Sequence, residues 1–348
     1  MQPEVEVSVI VACRNEVKDI RELLDCIVAQ DWQDLSWELL IADGVSNDGT
    51  LEILRTFASL HTNVQVLVNP GHIVSTGLNL AIRAARGRCI LRMDAHTVYA
   101  PDYVRKCLSV LERTGADNVG GPARTRPRSI SERLFSAAYH SPFSCGGARF
   151  HNPDYEGPVD TVPYGCWRRD IFDRIGYFDE SLVRNQDDEF NLRIQRNGGA
   201  IWQSAEIVSW YTPRNSILRL WKQYFQYGFW KVAVIRKHRM PASLRHLVPA
   251  LFVVLFVGSV FGTAIAFAVG SRLGETWLCL VSGLLLFLYA SACIIATVAA
   301  RRAVKTSAIV LLPFLFPIYH FAYGSGFVTA LLLGKTLRTA GTTTGISR

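Results

Sequence analysis

The stretch Leu91-Arg92-Met93-Asp94-Ala95-His96 places an acidic residue directly after an apolar run, with a histidine two positions further on. Residues 89–93, which are apolar except for Arg92, predict a β-strand, so Asp94 stands at the carboxyl end of that strand. Open parallel sheets bind their ligands at the carboxyl ends of the strands. Whether this strand belongs to such a sheet depends on the sequence around it.

Three earlier apolar runs predict strands of the same kind, and amphipathic segments between them predict helices. The strands are predicted at 5–12, 37–42 and 64–68, and the helices at 15–30, 49–60 and 75–85. Strands that alternate with helices at this spacing predict an α/β fold with a doubly wound, mostly parallel sheet. Arg14, Asp43 and Asp94 would then lie at one edge of the sheet, near its switch point.

The last third of the chain changes to long apolar runs. Residues 247–270, 276–300 and 306–334 contain no Asp, Glu, Lys or Arg. Each run is longer than the roughly 20 helical residues that cross a hydrocarbon core of about 30 Å. Three such runs in succession favour membrane spans over buried core helices. We therefore expect about three hydrophobic segments in a multi-pass protein of the plasma (inner) membrane.

The basic residues predict on which side of the membrane the first domain lies. The N-terminus lacks the basic and apolar start of a signal peptide. Basic residues precede the first apolar run and follow the second: Arg236, Lys237, Arg239, Arg245, Arg301, Arg302 and Lys305. The loop between these runs has Arg272 as its one basic residue, so the positive-inside rule predicts a cytoplasmic first domain. The third run contains Pro313 and Pro317 and precedes Lys335 and Arg338, which leaves both a simple crossing and a re-entrant segment open.

The composition argues against a nucleic-acid partner and against a zinc site. The net charge is +8, but the basic residues concentrate near the apolar runs, where anionic lipid headgroups explain them. The eight cysteines show no zinc-ligand spacing and are expected to be reduced, mostly buried thiols.

Four parts of the chain follow from these patterns. Residues 1–213 form the predicted cytoplasmic domain. Residues 214–246 mix aromatic and basic side chains, which is typical of an amphipathic helix at a membrane interface. Residues 247–334 form the membrane domain, and residues 335–348 a short polar tail.

Carboxylates supply the candidate chemistry. No GxGxxG follows the first strand, which disfavours a dinucleotide-binding fold. Asp43 and Asp94 each follow a strand, where a lone carboxylate often serves only as a turn or cap residue. Asp187, Asp188 and Glu189 open a predicted helix, where the helix dipole alone favours acids. The sheet edge shared by Asp43 and Asp94 is the feature that favours a functional site.

The first 230 residues resemble an inverting family 2 glycosyltransferase with a GT-A fold. Residues 8–16 resemble the opening strand of that family, 41–50 its uridine-binding element, and 71–79 with 85–87 the approach to its DxD motif. Residues 176–180 and 186–189 resemble its G-x-F-D-E and ED region. A narrower likeness, to the ExoA-type subgroup of exopolysaccharide (succinoglycan) glucosyltransferases with C-terminal membrane spans, rests on residues 92–96, 157–162, 185–189 and 223–231.

The resemblance implies a role for each matching residue. Asp43 would bind the uracil or ribose, in a nucleotide-sugar site that also includes Ala12, Arg14, Glu16 and Asn79. Asp94 would hold a divalent cation, Mn²⁺ or Mg²⁺, that bridges the diphosphate.

Further roles concern catalysis and the diphosphate. Asp187 would be the general base for the acceptor hydroxyl, with Asp188 as the second choice. A single in-line displacement on an α-linked donor would give a β-linked product. Gln226, Trp230 and Lys231 would lie near the diphosphate, with Lys231 in place of an arginine that the family often carries.

His96 departs from the family pattern, because it stands where the DxD motif has its final acid. Three interpretations stay open: a direct or water-mediated metal ligand beside Asp94, a contact to phosphate or acceptor, and a structural residue.

Two functions from different classes follow. The first is a membrane-anchored transferase that moves a sugar, expected to be glucose, from a UDP-sugar to a polyprenyl-diphosphate-linked saccharide during exopolysaccharide or cell-surface polysaccharide synthesis. The second is a catalytically silent nucleotide-sugar-binding subunit whose partners are other polysaccharide-assembly proteins. A processive synthase would need more spans than the sequence shows.

Overall fold

The structure, a computed structural model, describes residues 5–212, 216–304 and 307–333. It divides into two compact units. The first contains the described residues up to 126 together with 149–212, and the second contains 127–148 and the helices that begin at Ile217.

The first unit consists of an eight-stranded main sheet with helices on both faces, and a two-stranded sheet formed by β5 and β10. Its strands are β1 (Val7–Cys13), β2 (Trp37–Asp43), β3 (Val64–Val68), β4 (Cys89–Arg92), β5 (Thr97–Tyr99), β6 (Asn118–Gly120), β7 (Gly157–Pro158), β8 (Cys166–Arg168), β9 (Ile201–Gln203) and β10 (Ser209–Tyr211). Its helices are α1 (Ile20–Val28), α2 (Thr50–Leu60), α3 (Val74–Ala84), α4 (Tyr103–Thr114), α7 (Asp170–Ile175) and α8 (Gln186–Arg196).

The second unit is helical throughout the part that the structure describes. Its α-helices are α5 (Ile130–His140), α6 (Pro142–Cys145), α9 (Ile217–His238), α10 (Val248–Ala268), α11 (Arg272–Val304) and α12 (Leu312–Leu332).

The strand order of the main sheet is β3-β2-β1-β4-β8-β6-β9-β7. Strands β3, β2, β1 and β4 are parallel, whereas β8 runs antiparallel to β4 and β6. The predicted doubly wound, mostly parallel sheet is thereby confirmed. The order turns at β1, since β2 lies on one side of it and β4 on the other, which makes the carboxyl end of β1 the switch point.

Alternation along the strands explains why the sheet is covered on both faces. Val9 and Leu91 pack into one apolar core with α1, while Ile10 and Ile90 pack into a second core with α3. Successive side chains of a strand point to opposite faces, so a continuous apolar run supplies both cores.

The predicted and observed boundaries differ most at the first helix. It was predicted from residue 15, but α1 begins at Ile20. Asn15 has a left-handed backbone with φ of 56°, which a helix cannot contain. The chain therefore turns after β1 before the helix starts, and this turn forms part of the candidate site.

In the second unit, three helices are long and apolar enough to cross a membrane. The described part of the third hydrophobic segment forms a 3-10 helix at Ser307–Leu311 followed by α12, and Pro317 lies inside α12. Neighbouring helices often make such a proline tolerable in a membrane protein. The simple crossing and the re-entrant segment therefore both stay open.

The segment 127–148, which the sequence placed in the first domain, groups with these helices. Helix α5 packs Phe135 and Ala138 into an apolar cluster with Phe316 and Tyr319 of α12. The four predicted parts of the chain stay predictions. The boundary at 213, the cations Lys305, Lys335 and Arg338, and the tail 335–348 lie outside the described residues.

Candidate active site

The turn after β1 and the loop after β2 are joined by hydrogen bonds at the carboxyl edge of the sheet. Asp43 is fully buried, and its two oxygens accept from the Ser46 amide at 2.9 Å and the Ser46 hydroxyl at 2.6 Å. Ser46 Oγ in turn accepts from the Asn15 amide at 2.8 Å, and Asn15 Oδ1 accepts from the Asn47 amide at 2.9 Å. The left-handed backbone of Asn15 is what places its amide and side chain against this loop.

A second set of hydrogen bonds continues this join toward α2. Asp48 accepts from the Thr50 hydroxyl at 2.6 Å and from the Val17 amide at 3.2 Å, while Thr50 Oγ1 accepts from the Glu16 amide at 2.8 Å. Burial alone would raise the pKa of Asp48, but these hydrogen bonds lower that pKa below its ordinary value. Asp48 therefore stays ionised, and its hydrogen bonds fix the backbone of the turn that contains Glu16.

Ala12 lies within β1, and Arg14 follows directly after that strand. Ala12 pairs with Ala42 across the parallel strands β1 and β2. The side chain of Arg14 packs against Gly44, where an added Cβ would approach Arg14 Cβ to 3.0 Å. Arg14, Glu16 and Asp43 are thus brought together in the two loops at this edge.

Asp94 lies two residues after the end of β4 and is held at both its backbone and its side chain. Its amide donates to the Tyr99 hydroxyl at 2.7 Å. Its two carboxylate oxygens accept from Arg92, at 2.9 Å from Nε and 2.8 Å from Nη2. The predicted metal ligand thus forms a two-pronged ion pair with a neighbouring guanidinium.

His96 lies beside two carboxylates from the turn after β1. Its Nε2 is 3.2 Å from Glu16 Oε2 and its Nδ1 is 3.2 Å from Asp19 Oδ2. One possible ligand atom from each of the three residues lies within 4.8 Å of the other two. Two hard carboxylate oxygens suit Mg²⁺ or Mn²⁺, and the imidazole nitrogen favours the transition metal, Mn²⁺. The three side chains therefore fit a divalent cation.

The three acids at the start of α8 have different surroundings. Glu189 is fully buried and its oxygens lie 3.0 and 3.1 Å from Arg193 Nε. Asp187 and Asp188 are half-buried in the first turn, where Asp187 Oδ1 accepts from the Asp188 amide at 2.9 Å. Glu189 therefore has a structural role, which leaves Asp187 and Asp188 as the acids of this turn that a substrate can reach.

Asp94 and Asp187 both influence the buried guanidinium of Arg92. Burial would lower the pKa of that guanidinium, but the negative charges of Asp94 and Asp187 raise the pKa above its ordinary value. The guanidinium therefore stays a cation, and it forms an ion pair with Asp94 at 2.8 Å.

Asn79 is buried in α3 and bound to protein partners. Its Nδ2 donates to the Phe178 carbonyl and to Glu180 Oε1, both at 2.8 Å, and its Oδ1 accepts from the Phe178 amide at 2.9 Å. These bonds support the 176–180 turn, so the structure brings Asn79 to that turn rather than to the loops of Asp43. Its predicted nucleotide contact stays a prediction.

Gln226, Trp230 and Lys231 are all buried on α9 in the second unit. The five consecutive residues 228–232 of this helix are buried, so this part of α9 is covered on every side. The predicted contacts of these three residues to the diphosphate stay predictions.

The sequence did not single out Arg92, Asp19 or Tyr99. Arg92 and Asp94 are two positions apart at a strand end, and that spacing places two side chains on the same face. Glu16 and Asp19 are three apart, the spacing of neighbours on a helical turn. These two spacings are the sequence signals from which Arg92 and Asp19 could have been predicted as neighbours of the site residues.

Comparison with known proteins places the chain in a family. Residues 8–176 match the family model described as glycosyl transferase family 2. The chain is 30% identical over 243 residues to the succinoglycan biosynthesis protein ExoA of Rhizobium meliloti (strain 1021), a match that covers 69% of this chain and 73% of the relative. The chain belongs to glycosyl transferase family 2.

Two further similarities cover a larger share of the chain than the match to ExoA does. The first is to the dolichyl N-acetyl-alpha-D-glucosaminyl phosphate 3-beta-D-2,3-diacetamido-2,3-dideoxy-beta-D-glucuronosyltransferase of Methanococcus voltae, which is 25% identical over 338 residues, 95% of this chain and 98% of the relative. The second is to a solved structure, the mannosyltransferase PcManGT from Pyrobaculum calidifontis in complex with GDP-Man and Mn²⁺. It has a TM-score of 0.59 at 19% identity and covers 96% of this chain and 89% of that one. This structural likeness confirms the GT-A fold.

Proposed function

We propose that this family 2 glycosyltransferase is a membrane-anchored inverting enzyme that moves a sugar from a UDP-sugar to a polyprenyl-diphosphate-linked saccharide. UDP-glucose is the proposed donor, and the growing glycan of an exopolysaccharide or cell-surface polysaccharide is the proposed acceptor. The catalytic unit is proposed to lie on the cytoplasmic side of the inner membrane. The observation that carries this proposal is the two-pronged contact of the buried Arg92 guanidinium with Asp94 near the carboxyl end of β4, a guanidinium whose pKa the charge of Asp187 also raises.

In the proposed reaction Asp187 removes the proton of the acceptor hydroxyl. The acceptor oxygen forms a bond to the anomeric carbon while the bond from that carbon to the diphosphate oxygen breaks, so UDP leaves with the electron pair. Such a base typically contributes about 10²–10⁴-fold to the rate. Asp188 is next to Asp187 in the same turn and is the alternative base.

The donor would be held by the loops at the ends of β1 and β2. Asp43 and its hydrogen-bonded loop shape the site for the uracil or ribose, and Arg14 and Glu16 line it. We propose Asp94 and His96 as the residues that would hold a divalent cation, and His96 forms a cluster with Glu16 and Asp19 that could contribute further ligands. A cation bound there supplies Lewis-acid stabilisation of the departing diphosphate.

The test is UDP release by the full-length protein in membranes, with UDP-glucose or another UDP-sugar, extracted lipid-linked acceptor, and Mn²⁺ present or absent. We expect the Asp187→Asn variant to lose at least about 100-fold in rate. Asp25→Asn, a change at an exposed acid of α1, is the matched control and should keep the wild-type rate. Intact binding of UDP-sugar without UDP release from any donor would instead support the silent-subunit alternative.

A further inference from the structure

Two arginine–carboxylate pairs lie at opposite ends of the main sheet and are built in opposite ways. At the amino end, Arg86 pairs with Glu38 at 2.8 Å; the arginine side chain is 55% exposed and the glutamate side chain 5%. At the carboxyl end, Arg92 pairs with Asp94, also at 2.8 Å, but here the arginine side chain is 8% exposed and the aspartate 31%. The first pair buries its carboxylate, whereas the second buries its cation and leaves the carboxylate accessible.

Arg92 is held by a hydrogen bond of its backbone and by two hydrogen bonds of its guanidinium. The Arg92 amide donates to the Gly165 carbonyl at 3.1 Å, and Nε and Nη2 fork onto Asp94. Nη1 is buried and has no hydrogen-bond partner among the described residues. A planar fork fixes the plane of a carboxylate in a way that a lysine ammonium does not.

We propose that Arg92 is a positioning residue of the donor site, which orients the Asp94 carboxylate and competes with a divalent cation for it. This inference rests on the proposed function, in which Asp94 is a cation ligand. The competition follows from charge: a guanidinium at hydrogen-bond distance from Asp94 repels a divalent cation that binds the same oxygens. Arg92 thereby limits cation affinity and holds Asp94 in one orientation until the cation and its diphosphate arrive.

The experiment measures Mn²⁺ binding to the full-length, detergent-solubilised protein by electron paramagnetic resonance, together with UDP release. We expect Arg92→Met to bind Mn²⁺ at least about tenfold more tightly, because the competing charge is gone. At saturating Mn²⁺ its kcat should fall by a similar or larger factor, because Asp94 is no longer oriented. Arg92→Lys keeps the charge without the fork, so its Mn²⁺ affinity should stay near wild type while its kcat falls.

Two controls separate this role from a merely structural one. In an Asp94→Asn background, Arg92→Met should no longer tighten Mn²⁺ binding. Arg86→Met breaks the matched pair at the other end of the sheet, and it should lower the melting temperature without changing Mn²⁺ affinity.

The proposal is overturned if Arg92→Met melts like wild type and binds Mn²⁺ with unchanged or weaker affinity. It is also overturned if neither the wild-type protein nor Arg92→Met binds Mn²⁺. Should Arg92→Met fail to fold, a wild-type kcat in Arg92→Lys overturns the proposal equally. If Mn²⁺ affinity changes as expected while no variant or wild-type protein releases UDP, the proposed function fails and the role of Arg92 in cation binding stands.

Discussion

Glu189 and Arg193 form a buried ion pair one turn apart on α8, with the guanidinium also donating to the carbonyls of Ile175 and Tyr177. The pair joins the start of α8 to the turn that follows α7. Because the ion pair occupies the carboxylate of Glu189, Glu189 has a different role from the two acids that precede it. The trio of carboxylates at the start of α8 is therefore one structural residue next to two half-buried ones.

Glu189→Ala is expected to destabilise the protein by about 1.5–3 kcal/mol, since it removes the carboxylate from the Arg193 guanidinium while the bonds from that guanidinium to the Ile175 and Tyr177 carbonyls stay in place. Thermal unfolding of the detergent-solubilised protein measures this, and UDP release at a low temperature measures the activity of the folded fraction. Asp187→Asn should show the reverse pattern, with a wild-type melting temperature and little activity. Loss of activity without loss of stability in Glu189→Ala would contradict the structural role.

The cluster of Glu16, Asp19 and His96 predicts a change in cation binding. Asp19→Asn removes one of the three possible ligand groups and is expected to weaken Mn²⁺ affinity by about 10-fold or more. His96→Asp replaces a nitrogen ligand with a hard oxygen and should shift the preference from Mn²⁺ toward Mg²⁺. Competition between the two cations, followed by electron paramagnetic resonance, measures both effects.

Asp25→Asn on α1 is the control for this experiment, since Asp25 lies outside the cluster and should leave cation binding unchanged. Unchanged Mn²⁺ affinity in both Asp19→Asn and His96→Asp would show that the cation does not bind at these side chains. His96 would then belong to one of the other two interpretations, a phosphate or acceptor contact or a structural residue.

Much of the fold could be predicted from the sequence because its central strands are local and strongly patterned. Residues 5–12, 37–42, 64–68 and 89–93 are apolar runs long enough for a parallel strand, and the structure has strands at all four. The short strands β5 to β10 were not predicted. They have two or three residues each, and their pairing depends on distant partners, such as Ser209 with Tyr99.

The site was less predictable than the fold, because strand ends indicate which residues share an edge but not which ones pair. The sequence brought Asp43 and Asp94 to that edge without showing that Ser46 would bind the first and Arg92 the second. The acidic pattern alone also did not distinguish Glu189 from Asp187 and Asp188. The signal was Arg193, because an arginine four positions after an acid has the spacing of a helical ion pair.

Glu38 predicts how stability responds to acid. Burial would raise the pKa of Glu38, but hydrogen bonds from the Ser8 hydroxyl and from Arg86 lower that pKa below its ordinary 4.5. A carboxyl whose pKa is lower in the folded than in the unfolded state stabilises the fold fully above the unfolded pKa, and the stabilisation is lost as pH falls through the folded pKa. Thermal unfolding between pH 3 and pH 7 should therefore show a loss of stability below about pH 4.5 that is smaller in Glu38→Gln. An equal acid response in both proteins would contradict this assignment.

The contact between α9 and α12 predicts a steric effect at two glycines. A Cβ added at Gly228 would lie 2.0 Å from the Tyr323 carbonyl oxygen, and one added at Gly326 would lie 2.1 Å from the Phe225 carbonyl oxygen. Both obstacles are backbone atoms, so a methyl group can be accommodated only if the helices move apart. Close helix packing of this kind depends on small residues in membrane proteins. Gly228→Ala is therefore expected to lower the free energy of unfolding by at least about 1–3 kcal/mol, the usual cost of overpacking.

Gly258 on α10 has open space within 4 Å of an added Cβ, so Gly258→Ala is the matched control and should leave the melting temperature in detergent almost unchanged. Equal melting temperatures for the two variants would mean that α9 and α12 do not pack through these glycines.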